Sequence, residues 1–368
     1  MENKNIFLNS KLNISLAFIF FSMLYISYSL VLPNFISFEI LGEYNIEMKK
    51  FYVINFTTFF GFNFGILLFR IILNMNKVVR RFFFTLVVLL NAFSFFAPDY
   101  DYFLFLRFLA GMGLGVFWIY VRIKTSFLSE YSKIKFYFGT LGLVLGYVFA
   151  AMINLIVVPQ LGWSAGFLVL FSGFLLFPFN KYLDTNISYF DNNKECKICL
   201  NFFFFLSGFD FYILISNIKL IYFNVFSDLY LTNLHIFILT VLLLIGIKLS
   251  KYIFRFFSVF KIIITLNLLL IFFSIIGFYT SDKLLIILVT FLIFVFQSIS
   301  WSFISQFESI KDDVENYLYA FHMSIFGGLF ASFVSYLLYP QIERYMFVFI
   351  MIISMVFIIA FKFSLKSN

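Results

Sequence analysis

Apolar runs of about twenty residues follow one another along almost the whole chain, parted only by short polar loops. Roughly twenty residues is the length an α-helix needs to cross a bilayer. Inside hydrocarbon a backbone must satisfy its own hydrogen bonds, which a helix does within itself. Of the 368 residues, 63% are hydrophobic and 12% charged, about half the charged share of a soluble domain. The chain therefore reads as an all-α polytopic membrane protein. Phe supplies 63 residues. With Ile, Asn and Lys also abundant, most of that Phe reads as lipid-facing filler set by an A/T coding bias rather than as the lining of a cavity.

The net charge of +8 follows topology, not nucleic acid. Basic residues fall in alternate short loops, as the positive-inside rule predicts: Arg70 to Arg81, Lys124 to Lys135, and Lys248 to Lys261. Acidic residues mark the opposite side, with Glu39, Glu43 and Glu47 in one loop and Asp99 and Asp101 in another. Twelve spans fit the length. Span 1 covers about Leu12 to Leu32 behind a polar leader and is expected to stop at Pro33; span 6 covers Trp163 to about Phe179; span 7 covers about Leu200 to Phe226. The expected organisation is an N-terminal six-helix bundle over residues 1–180, a cytosolic linker over 181–199 and a C-terminal six-helix bundle over 200–368. Both termini are expected in the cytosol, the membrane being the plasma or inner membrane. No cleavable signal peptide is expected, because the first apolar run is too long for an h-region and lacks a small-residue cleavage site. Cys196 and Cys199 form one isolated pair without a second pair or nearby histidines, so no metal site is expected.

Three weak matches suggest that the two halves repeat. Lys77-x-x-x-Arg81-Phe82-Phe83 returns at Lys251, Glu130-x-x-Lys133 at Glu308, and Gly146 with Pro159-Gln160 at Gly327 with Pro340-Gln341, at offsets of 174, 178 and 181 residues. Inverted or paired repeats of this kind place a binding site at mid-membrane.

Span 4 carries the densest information. In RFLAGMGLGVFWIYVR, Arg107, Gly111, Gly115, Trp118 and Arg122 fall along one helical stripe, because steps of three and four return to one face. Small residues on such a stripe let another helix approach closely. Arg107 is costly in a bilayer, roughly 2.5–3.5 kcal/mol on insertion scales, and so faces protein or water. Span 5 repeats the small-residue spacing at Gly139, Gly142 and Gly146.

With these residues in place the chain resembles the major facilitator superfamily over nearly its whole length, most clearly from Asn74 to Phe171. The loop after span 2 looks like the family's gating motif in degenerate form, with Ile72, Asn76, Lys77, Val79, Arg80 and Arg81 at its G, D, R, G, R, R positions. Arg107, Gly111, Gly113 and Gly115 match the R-x-x-x-G-x-G-x-G pattern, Glu130-Tyr131 the acidic-aromatic pair that follows, and Gly162-Trp163 with Phe167 the start of span 6. The resemblance is closest to organic-acid and sugar symporters. It implies two pseudo-symmetric six-helix bundles, no cofactor, and a small-molecule substrate moved by alternating access. Asn76 keeps a hydrogen bond but drops the charge of the motif's Asp, which implies a looser gate.

The side chains that carry chemistry are few. Arg107 reads either as an anion or proton-coupling group or as a structural arginine held by neighbouring carbonyls. Asp210 is the one carboxylate deep in a span; burial disfavours its charged form, which suits a proton carrier, while the plain reading is a water-facing Asp. Asn217 lies seven residues on, along the same face. Lys219 is expected to snorkel to the outer interface. Gln297, Trp301 and Ser305 share a face of span 10, as a substrate stripe or a helix contact. Tyr25 shares a mildly polar face with Ser22 and Ser29. His322 is either titratable or a satisfied structural group. These residues point to a secondary transporter of a small polar metabolite, an organic anion or a sugar-like compound, with protons as coupling partner and the bilayer as setting, and monomeric. The alternatives are a drug or metabolite exporter of the same fold and a non-transporting paralogue. A membrane enzyme is disfavoured by two separated histidines and the lack of a paired acidic motif.

Overall fold

The computed structural model describes residues 2–73, 77–124, 132–184, 198–256, 259–309 and 314–366. These are helical almost throughout: α1 (Glu2–Phe35), α2 (Ser37–Glu43), α3 (Phe51–Leu73), α4 (Lys77–Phe93), α5 (Tyr100–Lys124), α6 (Ser132–Ile156), α7 (Val158–Leu161) and α8 (Ala165–Leu168), then α9 (Ile198–Phe226), α10 (Leu229–Phe256), α11 (Val259–Tyr279), α12 (Lys283–Ser309), α13 (Val314–Leu338) and α14 (Ile342–Lys366). Among the described residues, nine helices are long and apolar enough to cross a membrane, and shorter apolar stretches lie at Thr85–Phe96, Ala165–Leu176 and His322–Leu338.

The chain forms two compact units. The first comprises Met1–Asn45, Thr57–Glu195 and Gln306–Leu318, the second Ile46–Phe56, Cys196–Ser305 and Tyr319–Asn368. In the first unit α1 packs on α6, and α3 meets α5 at a crossing where glycine decides how near they come. A Cβ on Gly61 would strike the Phe108 carbonyl and one on Gly65 the Met112 carbonyl; reciprocally, Gly111 faces the Thr58 carbonyl and Gly115 the Phe62 carbonyl. Gly113 lies off this stripe and receives Val87 of α4. On α6, Gly142 and Gly146 press on the backbone of α1, whereas a Cβ on Gly139 would make ordinary contact with Ile19 at 3.6 Å. Lipid offers no hydrophobic drive between helices, so this close backbone packing supplies much of the association.

In the second unit α9 packs on α10 and α14, and α11 on α14. Gly208 of α9 meets Ser324 of α13, and Gly327 returns the contact at Phe205. The span Phe204–Phe226 is the most enclosed of the nine. That enclosure corrects the expectation for Lys219, which is 3% exposed and engaged with a partner rather than snorkelling to an interface.

The elements repeat at a nearly constant step. From α3 to α10 the starts move from Phe51 to Leu229, and from α5 to α12 from Tyr100 to Lys283, a step of about 180 residues (178 and 183). The Gly146/Gly327 match at 181 agrees with that step. The Lys77/Lys251 match, at 174, falls short of it.

Two local expectations also change. Pro33 does not stop the first helix, which runs through it to Phe35 and begins at Glu2, within the expected polar leader. A proline inside a helix withholds one N–H from the carbonyl four residues back, here Ser29. Span 6 is mostly not α-helical: after α8 the chain winds as a 3₁₀ helix over Val169–Asp184. Such winding rarely persists beyond three or four residues. Its burial follows the three-residue turn, with Phe167, Leu170, Gly173 and Leu176 buried and Ser172 and Leu175 exposed. A Cβ on Gly173 would lie 2.7 Å from the Tyr25 ring.

Candidate functional site

Each unit holds its own polar cluster. In the first, Arg107 of α5 is fully buried. Its Nη2 donates to the Ser29 carbonyl at 2.9 Å, Nη1 approaches Asn91 Oδ1 at 3.5 Å and Nε approaches Thr58 Oγ1 at 3.4 Å. The Ser29 carbonyl is the one Pro33 leaves without a helical donor. The guanidinium thus docks on a gap that a proline opens in the neighbouring helix. Ser29 Oγ also donates to Asn91 Oδ1, and Asn91 Nδ2 donates to the Val87 carbonyl at 3.0 Å. The open face of the guanidinium meets the Phe167 ring, 5.5 Å from its centroid, a cation–π placement. Tyr25 lies within electrostatic reach of Arg107, and its hydroxyl has no hydrogen-bond partner among the described residues.

The motif that opens span 6 explains how Phe167 is held. Gly162 takes a φ of +83°, a conformation that side chains resist, and turns the chain so that Trp163 and Phe167 face Phe103. The three ring centroids lie 5.6–5.9 Å apart, with Tyr44 at 5.7 Å from Trp163. Tyr44, outside the spans, donates to the Ala97 carbonyl at 2.9 Å. Burial, then Asp99 and Glu43, push its phenol up to about 12, so it stays a neutral donor at ordinary pH.

In the second unit Asn217 is a three-way junction. It accepts from Tyr52 Oη at 2.6 Å, and its Nδ2 donates to Ser335 Oγ at 3.0 Å and to the Ile213 carbonyl at 2.6 Å. Tyr52, Asn217 and Ser335 are all buried. Tyr52→Phe should lower stability by about 0.5–1.5 kcal/mol, the usual net worth of one hydrogen bond, read as a lower thermal midpoint in detergent.

Asp210 stands two turns earlier on α9 and meets different neighbours. It lines a small cavity with Ser207, Asn267, Gln297 and Ser300, closed by apolar side chains such as Leu270. The space open to a water-sized sphere is about 20 Å³, room for about one water. Gln297 Nε2 donates to the Asp210 carbonyl at 3.1 Å. Among the described residues, Asp210 Oδ1 and Gln297 Oε1 are buried without a hydrogen-bond donor.

The structure therefore brings Asp210 and Gln297 together, and separately Arg107 with Tyr25. Asn217 shares a face with Asp210 but not its cavity. Trp301 follows Gln297 on α12, and His322 is part-buried on α13 and does not line the cavity. Of the gating positions, Lys77, Arg80 and Arg81 open α4, while Asn76 and Glu130 lie outside the described residues, as does Cys196. The sequence reading missed Asn91, Thr58 and Asn267. Asn91 and Asn267 each interrupt an apolar run, VVLLNAF and TLNLLLI, and that interruption was the available signal.

No family model and no curated protein matches the chain. Solved structures do. It is similar to a crystal structure of a D-xylose–proton symporter at TM-score 0.71 and 12% identity, over 95% of this chain and 96% of that one. It is similar to the xylose transporter XylE from E. coli, in a partially occluded inward-open conformation, at TM-score 0.74 and 11% identity, over 95% and 97% of the two chains. At this identity the likeness is one of fold, and it extends over nearly the whole chain.

Proposed function

We propose that this chain, which has the major facilitator fold, is a secondary active transporter of a small polar metabolite, working by alternating access. The observation that carries the reading is Asp210: a carboxylate buried in a membrane span, facing a water-sized cavity, with one oxygen undonated. Ionisable groups in such positions mark ion and substrate pathways. Asp210 takes up the coupling cation, a proton in the first instance, and the bundles over residues 1–180 and 200–368 provide the two moving halves, with both termini cytosolic.

The substrate is sugar-like rather than anionic. Arg107, the cation an organic acid would seek, is fully buried and engaged with Ser29, Asn91, Thr58 and Phe167. The fold's neighbours carry xylose in their names. The loosened gating position Asn76 is compatible with transport, since an amide there still accepts and donates. No enzymatic step is assigned.

Uptake into proteoliposomes from a mixed pool of sugars, polyols and organic acids, read by mass spectrometry, tests this. A sugar-like compound should accumulate with an inward proton gradient, and Asp210→Asn should let it equilibrate without accumulating. Accumulation of an organic acid would overturn the substrate class. No uptake by folded protein would move the reading to an exporter of the same fold or a non-transporting paralogue.

A further inference from the structure

We infer that the Asp210 cavity is a binding site for Na⁺. The inference rests on Asp210 as the cation-carrying group and names a second cation for it.

The walls supply oxygen. Gln297 turns its amide nitrogen to Asp210, donating to the backbone carbonyl at 3.1 Å and hydrogen-bonding the carboxyl group, and Asn267 commits its own to the Ile263 carbonyl at 2.9 Å. The reverse orientation of either amide would set oxygen against oxygen. Each amide is thereby fixed with its oxygen as the remaining end. Asp210 Oδ1 and Gln297 Oε1, on side chains each 6% exposed, have no donor among the described residues. Ser207 and Ser300 add hydroxyl oxygens, which accept as well as donate. The lining thus offers one carboxylate, two amides and two hydroxyls from α9, α11 and α12. Hard oxygens of this kind suit small hard cations, not transition metals.

Charge and size narrow the occupant. Among the described residues none lining the cavity is basic, so this wall does not neutralise an ionised Asp210, and a buried charge demands a partner. A single positive charge balances it; a divalent ion would leave an excess. About 20 Å³ of water-sized space admits one dehydrated ion or one water and excludes a sugar. The ion site and the substrate site are therefore different places.

The test uses the full-length protein in detergent and needs no substrate. Thermal unfolding is followed as NaCl replaces choline chloride at constant ionic strength, and ²²Na⁺ binding is measured by equilibrium dialysis. The expected result is a saturable rise in the unfolding midpoint with Na⁺, matched by saturable ²²Na⁺ binding. Asp210→Asn should abolish both, and Gln297→Leu should weaken apparent affinity at least tenfold. Asp282→Asn, which alters an exposed carboxylate in the loop before α12, should leave both unchanged. Should Asp210→Asn fail to fold, Gln297→Leu and wild-type ²²Na⁺ binding still decide. Absence of saturable ²²Na⁺ binding to wild type overturns the site, as does a Na⁺ response equal in wild type and Gln297→Leu. Either failure leaves proton-driven sugar uptake standing, because that is read separately in proteoliposomes.

Discussion

Gly65→Leu and Gly115→Leu are each expected to yield no monodisperse protein in size-exclusion chromatography. The obstacle at each position is backbone: the Met112 carbonyl opposite Gly65 and the Phe62 carbonyl opposite Gly115. Extra methylenes in a packed core cost about 1–3 kcal/mol when side chains can yield. A carbonyl in a helix cannot yield without moving the helix, so the cost here exceeds that range. Four glycines interlock at this crossing, two from each helix, and moving α5 would carry Arg107 away from its partners. Gly139→Ala and Gly42→Ala are the controls. The first adds ordinary contact and the second meets nothing within 4 Å. Normal yield of Gly115→Leu would show that α3 and α5 are not held together as described.

Arg107→Met should lower stability by about 1–3 kcal/mol, the cost of orphaning one buried acceptor, and Pro33→Ala should restore part of that loss. The acceptor is the Ser29 carbonyl, which has Arg107 Nη2 as donor at 2.9 Å because Pro33 has no N–H to give. Alanine at position 33 brings the missing N–H back. Replacing a helix-interior proline is favourable in general, so the informative quantity is the difference between two gains. Pro33→Ala should help the Arg107→Met background by about 1 kcal/mol more than it helps wild type, a coupling typical of groups that share a partner. Denaturant or thermal unfolding of all four proteins in one detergent gives the cycle. Equal gains in both backgrounds would mean that proline and arginine do not compete for this carbonyl.

Much of the fold was legible because bilayer thickness and helix rise fix the length of a span. Span 7 was placed with its observed end, Phe226. The close approach of α5 to a neighbour was legible from Arg107, Gly111 and Gly115, since helical periodicity puts them on one stripe. What that stripe touches was not legible, because Thr58, Ser29 and Asn91 come from three other helices. Pro33 was misread for the same reason: its local effect is to break a hydrogen bond, and the donor that compensates lies 78 residues from Ser29. The Lys77/Lys251 match, at 174, stands apart because short identical strings arise by chance in basic loops, whereas α3/α10 and α5/α12 repeat at 178 and 183 residues. Asp210 was legible as a lone buried carboxylate. Its pairing with Gln297 of α12 and its cavity mate Asn267 of α11 required the packing of three helices.

The 3₁₀ segment has a consequence for how span 6 tolerates change. At about 2.0 Å per residue, its sixteen residues reach roughly 32 Å, where an α-helix would reach roughly 24 Å. Its apolar part is thus drawn out further than an α-helix of the same residues would be. Its inner edge is a straight file of every third side chain, and one inserted or deleted residue rotates everything beyond it by a third of a circle. A substitution scan through Phe167–Leu176 should accordingly show sensitivity with a beat of three, at Phe167, Leu170, Gly173 and Leu176. The same scan along α5 should beat in threes and fours.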